Sequence, residues 1–240
     1  MRGRRGVRSV TEPRDGRVLA VILDLDGLLL DTERVARRTW RCAAAECGHE
    51  IDDALYASTI GHTPEDTRCI YMGALGKGFP YARARALQQD HMRQAIEAGQ
   101  IAQKPGVPEL LETIEGLGLQ TAVATSSHRS SARRKLAASG LDGLFHTVVC
   151  GDDIAHGKPA PDIFLETAAR LRVAGQHCVV VEDSSAGVQA AHAAGMRIIL
   201  VPDLEPPSEA TTALAWRTLP SLEEAARFLT SQCAGTAWTP

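Results

Sequence analysis

Four stretches of the chain, VLAVIL at 18–23, LQTAVAT at 119–125, HCVVVE at 177–182 and MRIILV at 196–201, are short apolar runs rich in β-branched residues. A strand with one wet face alternates apolar and polar side chains, so unbroken runs predict strands covered on both faces. HTVVC at 146–150 is a weaker fifth run. Helical patterns lie between the runs, at 108–117, 128–140, 160–171 and 185–195, and SLEEAARFL at 221–229 makes a closing helix. Several of these stop at glycine, as helix C-termini commonly do. Strands alternating with helices predict an α/β fold with a parallel sheet and right-handed crossovers.

The alternation has one gap. From Thr32 to Gln103 no strand pattern occurs, only helical segments such as TERVARRTWRCAAAEC, PEDTRCIYMGAL and YARARALQQDHMRQAIEA. The expected organisation is a core formed by 18–31 and 104–240, with 32–103 inserted as a helical cap over the end of the first strand. Residues 1–17, with six arginines and no apolar periodicity, read as a disordered basic tail.

Once that tail is set aside, the remaining chain is acidic and has no basic stripe, so no nucleic-acid partner is expected. No apolar run approaches the roughly 18 to 20 residues needed to cross a bilayer, so no membrane partner is expected and the expected location is cytoplasmic. Six scattered cysteines without a C-x-x-C pair read as free thiols, with Cys178 a small core residue. A monomer is the default expectation, since no sequence signal specifies an assembly.

Ligands of open parallel sheets bind beyond the carboxyl ends of the strands. Those ends carry Asp24 and Asp26, then Thr125, Ser126 and Ser127, then Glu182 and Asp183, and the loop GDDIAHGKPAP adds Lys158. Four clustered carboxylates repel one another without a cation, and hard oxygen donors from separate strands suit Mg²⁺ shared with a phosphate. Side chains two apart on an extended chain point the same way, so Asp24 and Asp26 can face one ligand. Asp31, before Thr32 and Glu33, reads as a helix N-cap, and Ser184 or Ser185 as the cap of the helix that follows.

DLDG, ATSS, GKPAP and VVVEDS in this order resemble the haloacid dehalogenase superfamily of phosphotransferases, in the subgroup whose helical cap follows the first strand. The resemblance runs from about Val18 to Pro207. It implies a Rossmann-like core and a phosphoric monoester hydrolase acting on a small phosphorylated metabolite, with relatives that act on sugar phosphates or on nucleotide-like phosphates such as pseudouridine 5′-phosphate. It further implies Asp24 as the nucleophile that becomes an aspartyl-phosphate, and Asp26 as general acid and then base. Mg²⁺ would be held by Asp24, the Asp26 carbonyl, Glu182 and Asp183. Thr125 and Ser126 would bind phosphoryl oxygens, and Lys158 would screen the charge.

The runner-up is a phosphosugar mutase resembling β-phosphoglucomutase. Aligned on DLDGLLLDTE and GHTPED, its hinge histidine falls at Ala36 and its distal-phosphate arginine at Pro64, so both groups are missing. A dehalogenase would lack the acid two residues after the nucleophile, and an inactive binding protein would lack at least one of Asp24, Asp26, Lys158 and Asp183. GALGKG at 73–78 lacks the full phosphate-loop pattern. Arg93 reads as an exposed helix residue, and His128 and His156 as bystanders near the site.

Overall fold

A computed structural model describes residues 17–60, 64–204 and 206–233. Six strands form one all-parallel sheet in the order β3-β2-β1-β4-β5-β6. The strands are β1 (Ala20–Leu23), β2 (Gln120–Thr125), β3 (Thr147–Cys150), β4 (Cys178–Glu182), β5 (Arg197–Leu200) and β6 (Arg217–Thr218). The chain winds outward from β1 to β3, then returns to build the other half from β4. The order therefore reverses between β1 and β4, and a crevice opens beyond the carboxyl ends of such neighbours.

Alternate residues of each strand serve two cores, as a period of two requires. Val21, Leu23, Val123, Val179 and Val181 face one side, under α5 (Val107–Gly116), α6 (Arg129–Ala138) and α10 (Leu222–Cys233). Ala20, Ile22, Ala122, Ala124 and Val180 face the other, under α7 (Asp162–Leu171) and α8 (Ser185–Ala193). Coverage on both faces is why these strands read as unbroken apolar runs. β6 had no such signal: its two residues are exposed, and it is a strand only by its pairing with β5.

The gap in the alternation is α-helical: α1 (Thr32–Glu46), α2 (Asp53–Ala57), α3 (Pro64–Leu75) and α4 (Tyr81–Glu97) lie between β1 and α5. Trp40, Tyr56, Tyr71, Phe79 and Tyr81 give this insertion a hydrophobic cluster of its own, with Trp40 edge-on to Tyr71 at 4.9 Å. Two chain crossings join it to the sheet side by side: the Asp31 amide donates to the Ala102 carbonyl and the Lys104 amide to the Leu29 carbonyl. α9 (Glu209–Leu214) precedes β6. Among the described residues no helix is long and apolar enough to cross a membrane. The basic tail expected over 1–17 lies outside the described residues except for Arg17, whose carbonyl meets His177.

Candidate active site

Register sets the three central strand ends level. Leu23 pairs with Val123 on one side and with Val181 on the other, so Asp24 comes abreast of Ala124 and Glu182. All three ends are sealed: Asp24 is 6% exposed, Thr125 1% and Glu182 0%. Between Asp24 and Glu182 sits Lys158, from the loop before α7, its Nζ 2.5 Å from Asp24 Oδ1 and 2.5 Å from Glu182 Oε1. The ammonium also donates to the Ala124 carbonyl at 3.2 Å and lies 5.1 Å from the centre of the Phe164 ring. Charges this far from water persist only when paired.

The pairing leaves unequal pulls. Burial, opposed by Lys158 and reinforced by Glu182 and Asp26, lifts the Asp24 carboxyl to about 7. Burial works against the Lys158 charge, yet Asp24 and Glu182 outweigh it and hold the ammonium above its ordinary value.

Asp26 has a separate set of partners. Its Oδ1 accepts from Lys135 Nζ at 2.5 Å, and its Oδ2 accepts from Ser127 Oγ at 2.8 Å and Thr125 Oγ1 at 3.3 Å. Burial pushes this carboxyl up, but Lys135 and the hydroxyl donors prevail and hold it below the usual carboxylate range. Two carboxylates separated by one leucine are therefore shifted in opposite directions from the ordinary value.

Glu182 is saturated with donors. Besides Lys158 on Oε1, its Oε2 accepts from the Asp183 and Ser184 amides and from Ser184 Oγ, each at 3.0 Å. Ser184 then caps α8 by accepting from the Gly187 amide, as expected. A Cβ at Gly187 would fall 1.8 Å from Glu182 Oε1, so only glycine lets the carboxylate lie against the helix start.

Asp183 is the acid without a counter-ion. No ion pair among the described residues reaches it, and burial, Glu182 and Asp24 raise its pKa well above the ordinary range. Its carboxylate lies against Gly27, whose φ of +91° suits glycine. Four carboxylates against two ammoniums leave an acidic surplus beside Asp183, which is the charge balance a divalent cation would correct. No three acidic, histidine or cysteine side chains among the described residues form a ready metal-binding group, and Asp24 and Glu182 each turn an oxygen onto Lys158.

A cleft of about 230 Å³ opens on these groups between core and insertion, lined by Asp26, Asp183 and Ser184 from the core side and by Glu33 and Ile60 from the insertion. A larger cavity, about 720 Å³, lies at the opposite end of β2 beside Gln120, Thr121 and His146, away from every acid of the site. Size does not locate the chemistry here; the carboxylates do.

The structure thus gathers Asp24, Asp26, Thr125, Lys158, Glu182 and Asp183 at one end of the sheet, and places Ser126 in the turn beside them with an exposed side chain. His128 and His156 stay outside, His128 3.9 Å from Asp152 and His156 hydrogen-bonded to Asp162 at 2.9 Å. Arg93 pairs with Asp90 on the exposed face of α4. Asp31 occupies the N-cap position of α1 but makes no capping bond, because its carboxylate turns to Arg34 at 3.2 Å instead. The residue that sequence reasoning missed is Lys135. Its one signal was position: with Ala132 and Leu136 it lies on the apolar stripe of α6, where a lysine is out of place.

Fold and site define a hydrolase of the α/β class with its acids at the switch point of a parallel sheet. A haloacid dehalogenase-like hydrolase profile matches residues 18–195, and the chain belongs to that family. It is 31% identical over 219 residues to protein CbbY of Rhodobacter capsulatus, covering 86% of this chain and 95% of that one. It is 33% identical over 181 residues to a phosphorylated carbohydrates phosphatase of Thermotoga maritima, covering 75% of this chain and 83% of the relative. A crystal structure from Thermotoga maritima, provisionally named a beta-phosphoglucomutase, superposes with a TM-score of 0.76 at 28% identity, over 89% of this chain and 99% of that one. Family and relatives make the chain a phosphoric monoester hydrolase.

Proposed function

We propose that the chain is a Mg²⁺-dependent phosphatase that hydrolyses a small phosphomonoester, with a sugar phosphate favoured over a nucleotide-like phosphate, through an aspartyl-phosphate on Asp24. The observation that carries this reading is the buried Asp24–Lys158 pair at the centre of the sheet, with an uncompensated Asp183 beside it. The phosphorylated carbohydrates phosphatase among the relatives supports the sugar class.

In this reading Asp24 attacks phosphorus through the carboxylate oxygen not held by Lys158, and the sugar leaves as an alkoxide. Asp26 delivers a proton to that oxygen and later takes one from the hydrolytic water. Because Asp26 rests ionised beside Lys135, the proton it donates is taken up from solvent as the anionic phosphate enters and raises its affinity for one. Thr125 at the end of β2 and the Ser126 amide in the turn that leads to α6 receive phosphoryl oxygens, near a helix terminus that favours anions. Lys158 stays paired with Glu182 and holds Asp24 oriented throughout.

Asp24, Asp183 and the Asp26 carbonyl would hold Mg²⁺, which when bound neutralises charge between nucleophile and phosphate. Glu182, also expected in that set, has both oxygens occupied by the chain's own donors. The helical insertion acts as a cap, its paired crossings serving as the hinge. A closing cap excludes water and bulky esters, which favours a small metabolite.

The mutase reading is weaker. It requires an imidazole at the hinge, where this chain has Ala36, packed against the aromatic cluster of the insertion. The test is a panel of phosphorylated metabolites with Mg²⁺ and phosphate release as readout, including β-glucose 1-phosphate with a trace of bisphosphate. Release of phosphate from sugar phosphates is expected. Conversion to glucose 6-phosphate with little free phosphate would overturn the phosphatase.

A further inference from the structure

Lys135 is the second buried ammonium of the site, paired with Asp26 where Lys158 is paired with Asp24 and Glu182. Its side chain is 8% exposed, on a helix whose other polar residues mostly face water. A lysine buried to that extent without partners would be strongly destabilising, so its contacts account for its position. They are two: Asp26 Oδ1 at 2.5 Å and Ser127 Oγ at 2.9 Å.

The two bonds close a ring. An ammonium has only protons to give, so Ser127 Oγ accepts from Lys135 and sends its own hydrogen to Asp26 Oδ2, 2.8 Å away. Lys135 therefore fixes one Asp26 oxygen directly and the other through a hydroxyl whose rotor it has set. The Asp26 backbone is already held by the turn in which the Leu29 and Leu30 amides donate to the Leu25 carbonyl. Without the Lys135 and Ser127 bonds the carboxylate, 26% exposed on the cleft, would keep the long bond from Thr125 Oγ1 at 3.3 Å as its main restraint.

We propose that Lys135 is a positioning residue for phosphoryl transfer: through Asp26 and Ser127 it aims the acid/base carboxylate at the leaving oxygen while touching no substrate itself. The proposal rests on the assignment of Asp26 as acid/base. A lysine present only to balance charge would stabilise the fold without governing where that carboxylate points.

The test uses the whole chain with glucose 6-phosphate, whose alkoxide leaving group needs a proton, and Mg²⁺, and compares Lys135→Met, which keeps the packing of the stem, with Lys135→Ala, which opens a space. A misaimed catalytic group loses about 100-fold, so kcat should fall by that order while KM moves by less than about threefold. Ethylamine should restore at least about tenfold of kcat to Lys135→Ala with saturation, and tetramethylammonium, which has no N–H, should restore none. In crystals of Lys135→Met, Asp26 should rotate away from Ser127 and Thr125. Wild-type kcat in folded Lys135→Met, or lost activity with Asp26 unmoved and no response to ethylamine, overturns the proposal. If the wild-type protein hydrolyses no phosphomonoester, the phosphatase reading fails by itself, and the orientation of Asp26 in the Lys135→Met crystal still decides this one.

Discussion

Gly27 lies so close against Asp183 that a Cβ on it would stand 2.2 Å from Oδ2, and its backbone holds φ at +91°. Gly27→Ala therefore meets two obstacles, left-handed strain and a displaced carboxylate, of which strain alone is worth about 1–3 kcal/mol. The variant should unfold at lower urea and need at least about tenfold more Mg²⁺ for half-maximal activity, an increase that about 1.4 kcal/mol of lost binding produces. An unchanged Mg²⁺ requirement would separate Asp183 from the ion.

Asp24→Asn removes the nucleophilic oxygen but keeps the shape of the side chain. Phosphate release should fall by about a thousandfold or more, as for other lost nucleophiles, while the melting curve stays cooperative. Retained turnover in a folded Asp24→Asn protein would exclude the aspartyl-phosphate.

Acid-raised carboxyls give the metal-free protein an unusual pH dependence. Asp24, lifted to about 7, and Asp183, also raised, bind protons more tightly folded than unfolded. Their stabilising contribution is complete below the ordinary carboxylate range near 3.8 and is lost as pH rises through the folded values. In EDTA the melting temperature should therefore drop between pH 5.5 and pH 8, by about 3 °C or more. Mg²⁺ should recover the loss, with a larger shift at pH 8 than at pH 5.5. Equal shifts at both pH values would show that the ion does not meet these two acids.

Lys158 can be probed for stability and catalysis separately. Lys158→Met leaves Asp24 and Glu182 buried without their cation, a loss of about 3–5 kcal/mol in comparable sites. Adding Glu182→Gln removes one of the stranded charges and should return part of that stability, read by urea unfolding, without restoring phosphate release. Recovery of activity in the double variant would show that Lys158 serves the fold alone.

The fold was largely legible because its strands are covered on both faces, so that VLAVIL and HCVVVE announce themselves without partners in view. The positions of Asp24, Glu182 and Asp183 followed, since each directly succeeds or closes such a run. β6 was not legible: Arg217–Thr218 buries nothing and gains its conformation only from the edge of β5.

The sequence by itself determined which acids stand at the strand ends, because covalent spacing along an extended chain decides where a side chain emerges. Only the tertiary structure decided how those acids divide their cations, with Lys158 on Asp24 and Glu182, Lys135 on Asp26, and none among the described residues on Asp183. Asp26 and Lys135 are 109 residues apart, and a lysine on a helix carries no mark of the carboxylate it will meet. That pairing arises when α6 packs against the sheet, where both charges leave water and each becomes the other's nearest compensation.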